Sequence, residues 1–169
     1  MNRWDKYFLS IAEAVAQKSS CYSRKLGAVL VRDNAIISTG FNGVARGIPD
    51  CSSRYEKDLA LMKHLAAFPS GKAALTCPRR ILGFGSGEGM QWCYARHAEE
   101  NAITQAARSG VSTKGSTLYL NWKTPCLHCL QACINAGVLE IVVTELASYN
   151  EQAQFIIDHT KIKIRTYDL

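Results

Sequence analysis

The stretch "STLYLNWKTPCLHCLQACINAGVLEIVVTE", residues 116–145, alternates two short β-rich runs with one helical run. The runs "STLYLNW" (116–122) and "LEIVVTE" (139–145) are rich in β-branched, aromatic and apolar residues, which predicts strands. Between them, "CLHCLQACINAG" (126–137) has apolar residues at helical spacing and ends at Gly137, which predicts a helix. This order of elements favours an α/β fold, in which helices cover a sheet.

The sequence on either side extends this alternation. The other predicted helices are residues 4–19, 54–68, 96–109 (closed by Gly110) and 150–159, and the other predicted strands are residues 26–32, 35–41 and 162–167. The turn signal Asp33-Asn34 joins the first two strands into a hairpin, which makes the sheet mixed. Residues 42–53 and 69–93 are rich in Gly, Pro, Asp and Ser, and we predict loops there.

Length and composition restrict the class of protein. A chain of 169 residues with 47% hydrophobic and 20% charged residues predicts one globular domain. No apolar run approaches the roughly 20 residues of a membrane span, and the start "MNRWDKYFLS" lacks the pattern of a signal peptide. We therefore expect a soluble, cytoplasmic protein with no membrane partner. The formal charge of +6 comes without a basic block, so it suits an anionic small molecule at least as well as a polynucleotide.

Seven cysteines are the most informative part of the composition. In a reducing compartment such a set is more typical of metal binding or catalysis than of disulfides. Cys126 and Cys129 form a Cys-x-x-Cys pair that can hold one zinc ion, and Pro125 suits the start of a helix. The alternative is a redox-active pair. With His97 as a third ligand, the fourth zinc position stays open, as in catalytic sites.

His97 lies in "ARHAEENAI" (95–103), where Glu99 completes a His-x-Glu motif. This motif and Pro-Cys-x-x-Cys, each opening a predicted helix, resemble the signature of zinc-dependent deaminases. The resemblance implies that Glu99 is the acid–base residue and that it does not bind the metal. Glu100 lies about 100° further round the helix, so we expect it to point elsewhere.

The N-terminal half makes the resemblance narrower. The run "LGAVLVRDNAIISTGFNGVARG" (26–47), followed by "HAEENAI" and "PCLHC", resembles the deoxycytidylate (dCMP) deaminase family over residues 21–143. The resemblance implies a cytidine-deaminase-like, three-layer α/β/α sandwich with a mixed, about five-stranded sheet. It implies a single domain, 1–169, with a loop-rich insertion at about 51–93. It also implies a homo-oligomer, commonly a hexamer, that hydrolyses dCMP to dUMP for thymidylate synthesis.

Further implications of the resemblance concern ligands. The family's effectors are dCTP, which activates, and dTTP, which inhibits, with Mg²⁺ as their counter-ion. Asn42 would contact the sugar of the substrate, and the backbone at Ala98 would hold the base. Lys25 and Arg46 are the candidates for the phosphate, with Arg24 as a competitor for Lys25. The alternative is that these charges are only solvated.

Two positions depart from the family pattern. Ala45 stands where a proline is usual, and Phe41 stands where a tyrosine is usual. The second change removes one hydroxyl next to the predicted nucleotide contacts.

Four further cysteines form a second candidate metal site. In some members of the family, cysteines at the positions of Cys21 and Cys51 hold a structural zinc. Here Cys77 and Cys93 could complete a Cys₄ site, which would fix the insertion. The alternatives are four thiols without a metal, or His64 in place of one cysteine. We expect Cys133 to be a core residue and His128 to be structural.

Three rival functions remain open. The first is deamination of another small cytosine or purine base or nucleoside. The second is polynucleotide editing, which needs a basic groove and stacking aromatics, whereas Trp4, Trp92 and Trp122 do not cluster in sequence. The third is a zinc module without catalysis, for which Glu99 has no use.

Overall fold

A computed structural model describes residues 3–66, 76–147 and 151–167 of the chain. The chain divides into two compact units. The first unit comprises Met1–Ser19, Leu26–Asn42 and His97–Leu169, and the second comprises Ser20–Lys25 and Gly43–Arg96. The second unit contains the predicted insertion together with the loop that precedes it. The grouping of the whole chain as one domain stays a prediction.

A mixed five-stranded sheet forms the centre of the first unit. Its strands are β1 (Gly27–Arg32), β2 (Ala35–Phe41), β3 (Thr117–Lys123), β4 (Glu140–Glu145) and β5 (Lys163–Thr166). They lie in the order β2-β1-β3-β4-β5, with β1 antiparallel to both β2 and β3. The pairs β3–β4 and β4–β5 are parallel, which confirms the predicted mixed sheet.

Helices cover both faces of this sheet. The α-helices of the described residues are α1 (Arg3–Ala16), α5 (Ala98–Arg108), α6 (Leu127–Asn135) and α7 (Glu151–Asp158) in the first unit, and α2 (Arg54–Lys57), α3 (Leu59–Leu65) and α4 (Pro78–Ile81) in the second. On one face, Phe8 of α1 packs with Val29 and Val142 of the strands. On the other face, Ala102 of α5 and Leu130 of α6 pack with strand residues. The predicted three-layer α/β/α sandwich is therefore confirmed. Among the described residues, no helix combines the length and the apolar character needed to cross a bilayer.

The turn signals lie where the sequence predicts them. Asp33 and Asn34 have φ of 53° and 59°, the left-handed backbone that a tight two-residue hairpin turn requires. Gly110 and Gly137 follow α5 and α6 with φ of 68° and 76°. They end these helices because glycine adopts this conformation without strain from a Cβ atom.

The single helix predicted at 54–68, in the second unit, is wrong. The structure has two helices there, α2 and α3, because Asp58 adopts an extended backbone and caps α3 by accepting a hydrogen bond from the backbone N–H of Leu61. The Asp58 carboxylate also pairs with the buried Arg54, whose Nη2 lies 2.8 Å from Oδ2. The guanidinium of Arg54 lies over the Tyr94 ring, 3.7 Å from its centroid. Residues 67–68 lie outside the described residues.

The loop predicted at 69–93 is also partly wrong. Pro78 is the first residue of the short helix α4. Its missing N–H costs no hydrogen bond there, because the first N–H groups of a helix have no partner within the helix. A 3₁₀ turn follows at Met90–Trp92. Residues 69–75 lie outside the part of the chain that the structure describes.

Candidate zinc site

Two of the three predicted zinc ligands are the N-cap residues of helices in the first unit. His97 precedes α5 with φ −75° and ψ 158°, and Cys126 precedes α6 with φ −67° and ψ 165°. Neither side chain caps its own helix with a hydrogen bond, so both can serve as ligands. Cys129 lies in the first turn of α6. Pro125 stands immediately before the Cys126 cap, and α6 begins one residue later than the predicted helix.

The three side chains lie close together. The Sγ atoms of Cys126 and Cys129 lie 3.4 Å and 3.3 Å from Nδ1 of His97, and all three ligand atoms lie within 4.8 Å of one another. In a tetrahedral zinc site with ordinary bond lengths, nitrogen and sulfur ligands lie about 3.6 Å apart. The donor set and its spacing therefore fit zinc. No other group of three or more His, Cys, Asp or Glu side chains in the described ranges meets this distance.

The electrostatics of the cluster also fit a cation. A hydrogen bond from the Cys129 thiol, helped by the His97 ring and opposed by burial, lowers the pKa of Cys126 to about 3. The hydrogen bond to Cys126 and burial raise the pKa of Cys129. The hydrogen bond with Cys126 raises the pKa of His97, again against burial. Without a metal the cluster therefore favours one thiolate, and a divalent cation is what would stabilise two.

Glu99 lies in the first turn of α5, two residues after His97. Its side chain is buried, and Oε2 has no hydrogen-bond partner among the described residues. Burial raises the pKa of this carboxyl. An unpaired buried carboxyl oxygen lowers the stability of the fold, so such atoms are rare in folded proteins. Its presence here points to a functional role for Glu99. Its position in the helix that His97 caps suits a proton-transfer group.

Neighbours of the ligands have other surroundings. Cys133 is fully buried in the core between sheet and helices, as predicted. His128 is exposed, and Glu100 is half-buried. That Glu100 takes no part in the site stays a prediction.

The predicted substrate contacts fall in both units. Asn42 and Ala98 are buried in the first unit. Asn42 immediately follows β2, and Ala98 is the first residue of α5. Lys25 and Arg46 are exposed in the second unit. Arg24, the competitor of Lys25, donates from Nη2 to the Ser86 hydroxyl at 3.4 Å. The roles of these residues stay predictions.

The four remaining cysteines all belong to the second unit. Cys51 and Cys77 are buried, and Cys21 and Cys93 are half-buried. Burial, followed by the Cys21 and Cys77 sulfurs, raises the pKa of Cys51 to about 11. The four do not meet the distance criterion that the His97 cluster meets, so the second zinc stays a prediction. All seven cysteines are described, and none forms a disulfide.

One residue of the site region received no role from the sequence. Asn101 lies in α5, and its side-chain Nδ2 donates to the backbone carbonyl of Phe41 at 2.8 Å. An asparagine inside a helix is a weak signal of such a contact, because asparagine has low helix propensity and needs another reason to be there.

Comparisons with known proteins agree with this site. The family model described as cytidine and deoxycytidylate deaminase zinc-binding region matches residues 2–145. The deoxycytidylate deaminase of Mycobacterium phage D29 is 35% identical over 144 residues, which cover 82% of this chain and 92% of that protein. The deoxycytidylate deaminase of Saccharomyces cerevisiae is 30% identical over 164 residues, which cover 97% of this chain. This chain spans only 45% of the yeast protein.

A solved structure shares the fold. The crystal structure of the dCMP deaminase from the cyanophage S-TIM5 in complex with dCMP and dUMP matches with a TM-score of 0.67 and 20% identity. The match covers 99% of this chain and 98% of that one. With a family match over most of its length and three ligand side chains grouped as zinc requires, this chain belongs to the zinc-binding cytidine and deoxycytidylate deaminase family.

Proposed function

We propose that the chain hydrolyses dCMP to dUMP and ammonia at the zinc site of His97, Cys126 and Cys129. The observation that carries the proposal is the combination of this three-ligand cluster with Glu99, whose buried Oε2 has no partner among the described residues. Three ligands are typical of catalytic zinc, whereas structural sites use four. The names of the phage D29 and yeast relatives support dCMP as the substrate.

In this proposal the residues of the chain divide the chemistry between them. His97, Cys126 and Cys129 hold zinc, which when bound supplies a Lewis acid that lowers the pKa of water toward about 7. Glu99 accepts a proton from the attacking water and delivers it to N3 of the pyrimidine. Glu99 then takes the second proton of that water from the hydroxyl now on C4 and passes it to the amine, and the C4–N bond breaks to release ammonia and leave the C4 carbonyl. Its burial excludes bulk water from this transfer.

The assignment of the substrate contacts rests on the resemblance. Asn42 would contact the sugar, and the backbone N–H groups that begin at Ala98 would hold the base. Lys25 and Arg46 would bind the phosphate, and their exposure suits an anionic ligand. The hydrogen bond that Arg24 gives to Ser86 supports Lys25 over Arg24.

A second, structural zinc is part of the proposal. Cys21, Cys51, Cys77 and Cys93 belong to one compact unit, and each is buried or half-buried. Four thiolates close a structural zinc site. Such a metal would stabilise a unit whose described helices α2, α3 and α4 are short, with four, seven and four residues.

Assembly, regulation and location also belong to the proposal. A homo-oligomer, commonly a hexamer, would cover large apolar side chains that are exposed in the single chain, such as Leu139 and Phe155 at 62% and 61%. We propose dCTP as activator and dTTP as inhibitor, each with Mg²⁺, and a cytoplasmic location. Light scattering of the purified protein tests the assembly, and a monomer in the presence of dCTP would contradict it.

An ultraviolet assay of turnover tests the function. It compares dCMP, dCTP, CMP and deoxycytidine, each with and without added dCTP as effector. We expect dCMP to be the preferred substrate. Absence of turnover for dCMP in zinc-loaded protein, with and without dCTP, would contradict the proposed function.

The phosphate contacts need their own comparison. Lys25→Ala and Arg46→Ala should raise KM for dCMP while turnover of deoxycytidine stays unchanged, because only the nucleotide carries the phosphate. Arg108→Ala, which removes an exposed arginine from α5, is the control. If deoxycytidine reacts as well as dCMP in the unchanged protein, the phosphate assignment is wrong.

A further inference from the structure

One face of β2 packs directly on the first turns of α5. Ser38, Gly40 and Asn42 alternate along the strand and beyond its end, and all three are buried. The Ser38 hydroxyl donates to the carbonyl of Ala102 at 2.7 Å. A Cβ atom at Gly40 would lie 2.3 Å from both the Ala98 oxygen and the Ala102 nitrogen, so backbone meets backbone there. Asn42 follows two residues after Gly40, immediately beyond the end of β2.

The peptide group between Phe41 and Asn42 is held at both ends. Its carbonyl, on Phe41, accepts from Nδ2 of Asn101 at 2.8 Å. Its N–H, on Asn42, donates to the carbonyl of Leu26 at 3.1 Å. A peptide group bonded on both sides cannot rotate without losing a hydrogen bond, so the direction of the chain into Asn42 is fixed.

Asn42 itself is held at two further points. Its side-chain Oδ1 accepts from the backbone N–H of Leu26 at 2.8 Å. Its carbonyl accepts from the hydroxyl of Ser19 at 2.7 Å. These partners lie before β1 and fix Asn42 to the sheet. The next residue, Gly43, pairs with Arg96 through two backbone hydrogen bonds of 3.1 Å and 2.8 Å, and Arg96 immediately precedes His97.

Asn101 supplies a side-chain link from within the helix that carries Glu99. Its backbone N–H donates to the carbonyl of His97 at 3.0 Å, and its side chain reaches Phe41. One residue therefore joins the zinc ligand His97 to the peptide that leads into Asn42.

We propose that Asn101 is a positioning residue that holds Asn42 in register with the first turn of α5. It acts through the carbonyl of Phe41, and its side chain touches no reacting atom. The part that concerns substrate binding rests on the proposed deamination of dCMP. Loss of the bond frees the carbonyl of the peptide that leads into Asn42 and so loosens its position relative to Glu99, while Gly40 and Ser38 keep α5 on the sheet and Gly43 stays paired with Arg96.

The test replaces Asn101 by leucine, which keeps the branched shape and removes the donor. Leucine is also the better helix former, so a lower melting temperature is not expected from α5 itself. In zinc-loaded protein we expect faster amide exchange at residues 40–43. We also expect KM for dCMP to rise about three- to tenfold, the effect of one hydrogen bond, with kcat and zinc content unchanged.

A double-mutant cycle shows whether the effect passes through Asn42. In an Asn42→Ala background, Asn101→Leu should change KM no further, since the residue it positions is gone. Thr104→Ala is the matched control: it removes a side-chain hydrogen bond within α5, to the carbonyl of Glu100, and should change neither exchange nor KM.

The outcomes separate this inference from the proposed function. Unchanged exchange at residues 40–43 in Asn101→Leu overturns it, as does a joint fall of kcat, zinc content and melting temperature at constant KM. Additive effects on KM in the double variant also overturn it. If the unchanged protein does not act on dCMP, the proposed function fails, and the exchange measurement alone then decides whether Asn101 positions Asn42.

Discussion

Glu99 and the residues beside it illustrate how one helix turn separates tasks between side chains. His97 caps α5 and faces two thiols, while Glu99 is buried with a carboxyl oxygen that has no partner among the described residues. Burial raises the pKa of this carboxyl because the charged form loses water. A carboxyl that accepts and releases protons at neutral pH benefits from such a raised pKa.

Glu99→Gln should abolish turnover and leave zinc bound. Glutamine keeps the shape of the side chain but cannot shuttle a proton, so we expect kcat to fall by about 10²–10⁴-fold or more. Ammonia release and metal analysis of the same sample measure the two effects. Glu100→Gln is the control, with turnover expected near that of the unchanged protein. A Glu99→Gln protein with normal turnover would falsify the acid–base assignment.

The contact between β2 and α5 determines where the site forms. Gly40 allows the strand backbone to touch the helix backbone at Ala98 and Ala102. Ala102 and Ala106 are fully buried in the same helix, so small residues line the inner face of α5. The close approach fixes the distance between β2 and the first turn of α5, where His97 and Glu99 lie.

Gly40→Ala should destabilise the protein. The added Cβ atom would lie 2.3 Å from two backbone atoms, which cannot move aside as a flexible side chain can. Overpacking of this kind costs about 1–3 kcal/mol, and thermal unfolding of the zinc-loaded protein measures it. Thr39→Ala, at the preceding position of β2, should lower the melting temperature less than Gly40→Ala does. An unchanged melting temperature for Gly40→Ala would contradict the close contact.

The first unit joins the two ends of the described chain. Asp5 in α1 is buried and receives two hydrogen bonds from Arg165 in β5, at 2.7 Å and 3.0 Å. The Tyr119 hydroxyl donates to the same carboxylate, and Arg165 also binds Glu140. Burial opposes ionisation of Asp5, but the bonds from Arg165 and Tyr119 outweigh it and lower its pKa.

The Asp5 network makes stability depend on acid pH. A lowered pKa in the folded state means that the stabilisation is complete above the unfolded pKa of about 3.9 and is lost as pH falls through the folded pKa. Asp5→Asn should therefore lower the free energy of unfolding by about 1–3 kcal/mol at pH 7, with a difference that shrinks below about pH 4. Denaturant unfolding over pH 3–7 measures this.

A surface ion pair provides the control for Asp5. Lys123 and Glu145 lie 2.9 Å apart with side chains 41% and 57% exposed, so Glu145→Gln should change stability by less than about 1 kcal/mol. A difference between Asp5→Asn and the unchanged protein that grows toward low pH would contradict a lowered pKa of Asp5 in the folded state.

The second unit gives a prediction about metal content. The unchanged protein should carry two zinc ions per chain, and Cys77→Ser should carry one, because a four-thiolate site loses most of its affinity with one ligand. Cys133→Ala, at a buried core cysteine, should keep both ions. Atomic absorption of dialysed samples measures the ratio. One zinc in the unchanged protein would leave the four thiols without a metal.

Local sequence patterns predicted most of the helices and strands. The run at 116–122 differs from β3 by one residue at each end, and the run at 139–145 differs from β4 by one residue at its start, because β-rich runs bounded by turn signals have few alternatives. The residues of the His97, Cys126 and Cys129 group could also be named from the sequence, since His-x-Glu and Pro-Cys-x-x-Cys are local motifs. The helix predicted at 54–68 was wrong because Asp58 takes part in a pairing with Arg54 and a cap that periodicity does not reveal.

The sequence by itself determined which side chains are suited to bind zinc and transfer protons, because these properties belong to residue types at fixed spacings. The meeting of His97 with Cys126 and Cys129, 29 and 32 residues further along the chain, depends on how α5 and α6 pack on one face of the sheet. The backbone contact at Gly40 and the reach of Asn101 to Phe41 likewise appear only when β2 lies against α5. Contacts between distant segments depend on packing, and packing is a property of the whole fold.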